Sequence, residues 1–309
     1  MKRKGIAMEL IEKEIARLKE ERRAVILAHY YVPDDVQRVA DYVGDSFYLS
    51  KKAKETDAQT IVFAGVRFMG ESAKILNPQK RVLMPDSTAD CPMAHMVTAK
   101  AVEDMRRQYD DLAVVCYVNS TAEIKTHSDV CVTSSNAVHI VKKLPQRNIF
   151  FIPDKNLGHY VSTQVPEKHI LCNDGYCPRH NGVRPDVVRA CKEQHPKALF
   201  LVHPECPEEV LALADYIGST AGIIEYAGKA GADEFIIGTE DGVMYELAKR
   251  YPEKTFYSVM EGRVCEDMKK VTLEKVLQCL RDGTGEITVS DEVREKALRS
   301  LDRMLELAE

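Results

Sequence analysis

Apolar residues fall in short unbroken runs separated by amphipathic stretches, and the runs recur with a long period. The first type of run ends in polar residues three times: Val25-Ile26-Leu27-Ala28-His29, Ala113-Val114-Val115-Cys116-Tyr117-Val118-Asn119 and Leu199-Phe200-Leu201-Val202-His203. A second type opens on aspartate, at Asp41 to Ser46, Asp129 to Ser134 and Asp215 to Thr220. Third come Thr60 to Gly65, Asn148 to Pro153 and Glu234 to Gly238, and fourth Arg81 to Met84, His169 to Cys172 and Thr255 to Val259. A cysteine loop follows each fourth run, at Cys91, Cys177 and Cys265. Continuous apolar runs rich in β-branched and aromatic residues, alternating with helical periods, predict buried parallel strands in successive βα units.

The repeat length, about 86 residues, exceeds the roughly 20 to 50 of solenoid arrays. The pattern therefore predicts an α/β protein of three pseudo-symmetric αβα domains with short parallel sheets around a central cavity. The expected boundaries are 1–110, which includes a charged helix over residues 8–23, then 111–195 and 196–290. A C-terminal helix over 291–309, with Val293, Ala297, Leu301 and Leu305 at four-residue steps, is expected to cover the first domain. Loops at the carboxyl ends of parallel strands are where such sheets bind ligands. A pseudo-threefold arrangement would bring Cys91, Cys177 and Cys265 together.

Charge and cysteine usage narrow the classes. The net charge of -5, without a long basic tract, excludes a nucleic-acid reader. No stretch reads as a signal peptide or a membrane span, so no membrane partner is expected. Nine cysteines, an odd count, favour reduced thiols and a cytoplasmic protein over a disulfide framework.

Three thiolates are soft ligands that suit zinc or iron-sulfur chemistry. A cubane cluster held by three of them leaves one iron open to act as a Lewis acid. The plainer reading is three buried apolar thiols, but register within the repeat and polar surroundings weigh against it. Cys116, Cys131, Cys172, Cys191, Cys206 and Cys279 lack that register and read as structural. Cys206-Pro207 imitates the cysteine loops but falls after the wrong strand.

His29 with Tyr31, Tyr117 with Asn119, and His203 with Glu205 end the first strands, and the i, i+2 spacing would put each pair on one side of an extended chain. Tyr30 would then point away and serve packing. Histidine beside a phenol or carboxylate can exchange protons with a substrate, although a histidine at a strand end also serves as a satisfied cap. Serines and threonines at 46, 134, 219 and 220, next to helix starts, suit anionic groups. Lys269 and Lys270 read as solvent-facing or ion-paired, and His159 and His180 stay open.

The segments Ala28-His29-Tyr30-Tyr31, Val43-Gly44-Asp45-Ser46, Lys74-Ile75-Leu76-Asn77-Pro78, Cys91-Pro92-Met93-Ala94, Tyr117-Val118-Asn119-Ser120-Thr121, Thr133-Ser134-Ser135-Asn136-Ala137, Pro153-Asp154-Lys155-Asn156-Leu157-Gly158, Gly175-Tyr176-Cys177, His203-Pro204-Glu205-Cys206 and Cys265-Glu266-Asp267-Met268-Lys269-Lys270 together resemble the quinolinate synthase (NadA) family over essentially the whole chain. The resemblance implies a 4Fe-4S cluster on Cys91, Cys177 and Cys265. It implies condensation of iminoaspartate with dihydroxyacetone phosphate to quinolinate, with loss of phosphate and two waters, in de novo NAD biosynthesis. It also implies His29, Tyr31, His203 and Glu205 as catalytic residues, and Ser46, Tyr117, Asn119, Ser134, Ser219 and Thr220 as substrate-binding ones. The enzyme that produces iminoaspartate would be a transient partner. Tyr30 departs from the family, whose members often carry Asn there. A hydro-lyase using the same open iron, and an iron-sulfur sensor or carrier, are the competing classes. Radical chemistry with S-adenosylmethionine lacks its closely spaced cysteine triplet.

Overall fold

The computed structural model describes residues 2–260 and 262–309. It contains three four-stranded parallel sheets with flanking helices. The first comprises β1 (Ala24–His29), β2 (Tyr42–Gly44), β3 (Thr60–Ala64) and β4 (Arg81–Leu83). The second comprises β5 (Leu112–Tyr117), β6 (Val130–Val132), β7 (Asn148–Ile152) and β8 (His169–Cys172). The third comprises β9 (Leu199–Val202), β10 (Tyr216–Ile217), β11 (Glu234–Gly238) and β12 (Thr255–Ser258).

Each sheet has its second strand outside the first and its third and fourth on the other side: β2-β1-β3-β4, β6-β5-β7-β8 and β10-β9-β11-β12. The order reverses between the first and third strands, so the crevice beyond their carboxyl ends is the binding position of such a sheet. The two central strands are apolar apart from their end residues because helices cover both faces. Leu27 pairs with Phe63, Val115 with Phe151 and Leu201 with Ile237, all buried.

Two devices recur in all three sheets. The aspartate opening each second run turns its carboxylate back to the first strand, accepting from Ile26 N at 2.8 Å (Asp41), from Val114 N at 2.7 Å (Asp129) and from Phe200 N at 2.7 Å (Asp215). A basic side chain then pairs with each carboxylate: Lys19, Arg106 and Lys192. The second device is a lysine, Lys80, Lys168 or Lys254, whose ammonium donates to carbonyls at a helix C-terminus: Ala53 and Thr56, Leu144 and Gln146, and Ala227 and Ala230. A cation there satisfies orphan carbonyls and complements the helix dipole.

The chain divides into two compact units, residues 1–91 with 266–294 and residues 92–265 with 295–309. In the first unit the helix Lys2–Glu21 packs on β1 and on the helix Leu273–Asp282, which also meets β3. That second helix was expected in the domain 196–290. It instead covers the first sheet, burying Leu273, Val276 and Leu280. In the second unit, Ser300 of the C-terminal helix donates to Lys125 O at 3.0 Å and accepts from Cys131 Sγ at 3.4 Å. The expectation that this helix covers the first domain is therefore corrected. Its apolar face matches the second copy, where Ser300 also meets a polar need.

Candidate functional site

In the first unit, β1 ends at His29 and the chain turns, with Val32 N donating to His29 O at 3.2 Å. Tyr31 N donates to His29 Nδ1 at 3.2 Å, and the two rings meet edge to face with centroids 4.5 Å apart. The pairing arises from this turn. The alternation of an extended strand, expected from the spacing, does not apply beyond residue 29. Tyr30 is nevertheless buried. Lys269 donates to Tyr31 O at 2.7 Å, and Lys270 pairs with Asp267 and donates to Thr88 O. Ser46 opens the helix Ser46–Glu55, but Asp45 is its cap. Cys91 is partly exposed, and its N–H donates to Asp90 Oδ1 at 2.8 Å.

The second unit repeats the turn after β9: Cys206 N donates to His203 O, and Glu205 N donates to His203 Nδ1 at 3.3 Å. Since Nδ1 accepts, Nε2 carries the proton, and it donates to Ser134 Oγ at 3.1 Å. Burial, seconded by the His180 ring, pushes His203 down to about 3 against the pull of Glu205, so this imidazole is neutral.

Glu205 is 3% exposed. Its Oε1 accepts from Tyr117 OH at 2.7 Å, and its Oε2 lies 2.7 Å from His180 Nδ1. Burial alone would raise this carboxyl, but the neighbouring His203 and His180 rings and the hydrogen bonds from His180 and Tyr117 outweigh it and hold it below the usual carboxylate range. His180 Nδ1 also lies 3.2 Å from Cys177 Sγ, and its Nε2 lies 2.9 Å from Thr239 Oγ1. Nδ1–H donating to Glu205 leaves Nε2 to accept from the threonine. Cys177, His180 and Glu205 offer ligand atoms within 4.8 Å of one another, a group able to hold a metal ion.

The Cys177 loop is pinned to the end of β7. Lys155 N donates to Gly175 O, and a Cβ on Gly175 would sit 2.5 Å from Pro153 O, so only glycine fits. Asp154, fully buried, caps the helix Lys155–Gln164 through Leu157 N and accepts from Cys177 N. Burial and the charge of Glu205 push its carboxyl up. Asn156 ties this helix to the Glu205 turn by donating to Glu205 O at 2.9 Å. Asn119 holds its Oδ1 buried without a hydrogen-bond partner. The Ser219 hydroxyl accepts from Gly222 N at the start of the helix Thr220–Lys229, and Thr220 is buried beside it. Cys265 is partly exposed, its N–H donating to Glu240 Oε1 at 3.0 Å.

Of the residues singled out in the sequence, Tyr117, Ser134, Cys177, His203 and Glu205 thus join one bonded network. The sequence reading left His180 open and missed Thr239, Asp154 and Glu240. His180 follows Cys177 by a single turn, which was the available signal. Cys206 is buried in the core of the third sheet, its thiol pushed well up by burial. Cys172 proves exposed, at the end of β8.

A family model described as "Quinolinate synthetase A protein" matches residues 13–306. A quinolinate synthase of Fusobacterium nucleatum is 55% identical over 95% of this chain and 98% of its own length. One from Caldicellulosiruptor bescii is 50% identical over 97% of this chain and 99% of its own. The quinolinate synthase 2 of Methanosarcina acetivorans is 48% identical over 98% of both. With a match spanning nearly all of its length, the chain belongs to the quinolinate synthetase A family.

Proposed function

We propose that the chain is a quinolinate synthase that condenses iminoaspartate with dihydroxyacetone phosphate, losing phosphate and two waters, in NAD biosynthesis. The observation that carries this reading is the buried Glu205 held by Tyr117 and His180 beside the Cys177 loop. A buried carboxylate whose partners are themselves proton donors suits repeated proton transfer in a multi-step dehydration.

The proposed cofactor is a 4Fe-4S cluster on Cys91, Cys177 and Cys265. The donor set fits it, because these three soft thiols are partly exposed and each sits in a loop whose cysteine N–H donates to a carboxylate oxygen. By contrast Cys131, Cys206 and Cys279 are buried, and burial raises their thiols. When bound, such a cluster with one open iron supplies a Lewis acid towards oxygen or nitrogen.

The chain's own groups do the rest. Glu205 removes protons and Tyr31 returns them. His203, neutral and with its proton on Nε2, donates to a substrate oxygen in exchange for Ser134; His29, held by the same turn geometry, acts likewise. The orphan Asn119 Oδ1 awaits a donor such as an imine or hydroxyl, and Tyr117 lines the same strand end. Ser46, Ser134, Ser219 and Thr220 bind carboxylate or phosphate. Ser219 accepts from Gly222 N, which leaves its own proton for an anion at a helix start. Among the described residues no helix is long and apolar enough to cross a membrane. We place the enzyme in the cytoplasm, with the producer of iminoaspartate as transient partner.

The test is product analysis after anaerobic reconstitution with iron and sulfide. Quinolinate should form only when both substrates are present. Glu205→Gln should lower turnover by at least about 100-fold, the scale of general acid–base catalysis, with iron content unchanged. A fully active variant removes Glu205 from the chemistry, and a product made from one substrate alone points to a hydro-lyase instead.

A further inference from the structure

Two buried carboxylates occupy matching places in the second unit. Asp154 stands two residues past the end of β7, and Glu240 two residues past the end of β11. They are 0% and 1% exposed. Each divides its oxygens in the same way. One accepts from the segment after its own strand, Leu157 N at 2.8 Å for Asp154 and Gly242 N at 2.6 Å for Glu240. The other accepts from a cysteine loop, Cys177 N at 3.1 Å and Cys265 N at 3.0 Å.

Burying a carboxylate is costly, and capping a helix does not require it. Thr98, Thr121 and Thr272 cap helices in this chain with neutral hydroxyls. The first copy supplies an internal comparison. Its equivalent position, two residues past β3, is Val66, which has no carboxylate to offer. There the Cys91 N–H is taken by Asp90, its neighbour in sequence. All three loops therefore place a carboxylate oxygen on the cysteine N–H, from different sequence positions. The common demand is that of the cysteine.

We propose that Asp154 and Glu240 are positioning residues that fix the Cys177 and Cys265 backbones and so aim both sulfurs for the iron–sulfur cluster. The inference rests on the cluster assignment made above. A group behind a metal ligand sets the ligand's orientation, and its loss costs about 10- to 100-fold in metal retention. The hydrogen bonding and burial that these side chains set around each loop also tune a cluster electronically.

The experiment uses the full chain, reconstituted anaerobically, and follows iron loss to a chelator together with the electron paramagnetic resonance spectrum of the reduced cluster. Asp154→Ala and Glu240→Ala should release iron about tenfold faster than wild type and shift the spectrum. Asp154→Asn and Glu240→Gln, which keep one acceptor oxygen, should lie between, and they decide the matter if the alanine variants do not fold. Thr98→Ala, a cap loss elsewhere, should weaken the fold and leave iron release and spectrum unchanged. Wild-type release and spectrum in the Asn and Gln variants would overturn the inference while leaving the cluster assignment intact. A wild-type chain that binds no iron and sulfide would overturn both.

Discussion

At the scale of single residues, the site rests on carboxylates whose state is set by what touches them. Asp86 is an instance outside the site. Its Oδ1 accepts from Thr88 N and Oγ1, each at 2.7 Å, and its Oδ2 pairs with Lys275. Burial would raise this carboxyl, but the Lys275 and Thr88 bonds outweigh it and bring it down to about 2. A carboxyl more acidic in the folded state stabilises fully above its unfolded value and loses that contribution as pH falls through its folded one. The contribution of Asp86 is thus present above about pH 4 and gone below about 2. Lys275 is 41% exposed, so solvent screening leaves about 1 kcal/mol. Asp86→Asn should lose that amount at pH 7 and much less at pH 2, where the contribution is fading, as read by urea unfolding at the two pH values. Equal losses at both would refute the linkage. Residues that reach the site through register, such as His203, Glu205 and Cys177, were legible because the repeat aligns them. Asp154 and Glu240 were not, since each lies more than twenty residues from the cysteine it serves.

At the scale of elements, the strands were legible because a parallel sheet covered on both faces leaves an unbroken apolar run. Their ends were less so: the second runs contract to Tyr42–Gly44, Val130–Val132 and Tyr216–Ile217. The flanking aspartates are spent on a tertiary bond back to the first strand. Asp41, Asp129 and Asp215 stood in the repeat, yet nothing in an aspartate before a strand says which N–H it will take. Asp215→Ala should cost about 1–3 kcal/mol, the penalty for a buried donor left without its charged acceptor. Asp215→Asn, which keeps one acceptor oxygen, should recover part of it. Chemical denaturation measures both, and an unchanged midpoint for Asp215→Ala would show the bond to be dispensable.

At the scale of the whole molecule, triplication was readable from period alone, while the covering helices were not. An amphipathic stripe states that a partner exists without naming it, so the helices Leu273–Asp282 and Asp291–Leu307 were each assigned to the wrong sheet. What the period implies chemically is one thiolate per copy, and this is the central claim. It is tested most directly by iron and acid-labile sulfide counts after anaerobic reconstitution of wild type, Cys91→Ala, Cys177→Ala, Cys265→Ala and Cys206→Ala. The wild type and Cys206→Ala should each hold about four irons and four sulfides per chain, and the other three variants should lose most of both. A full complement in any of those three, or none in the wild type, would contradict the account.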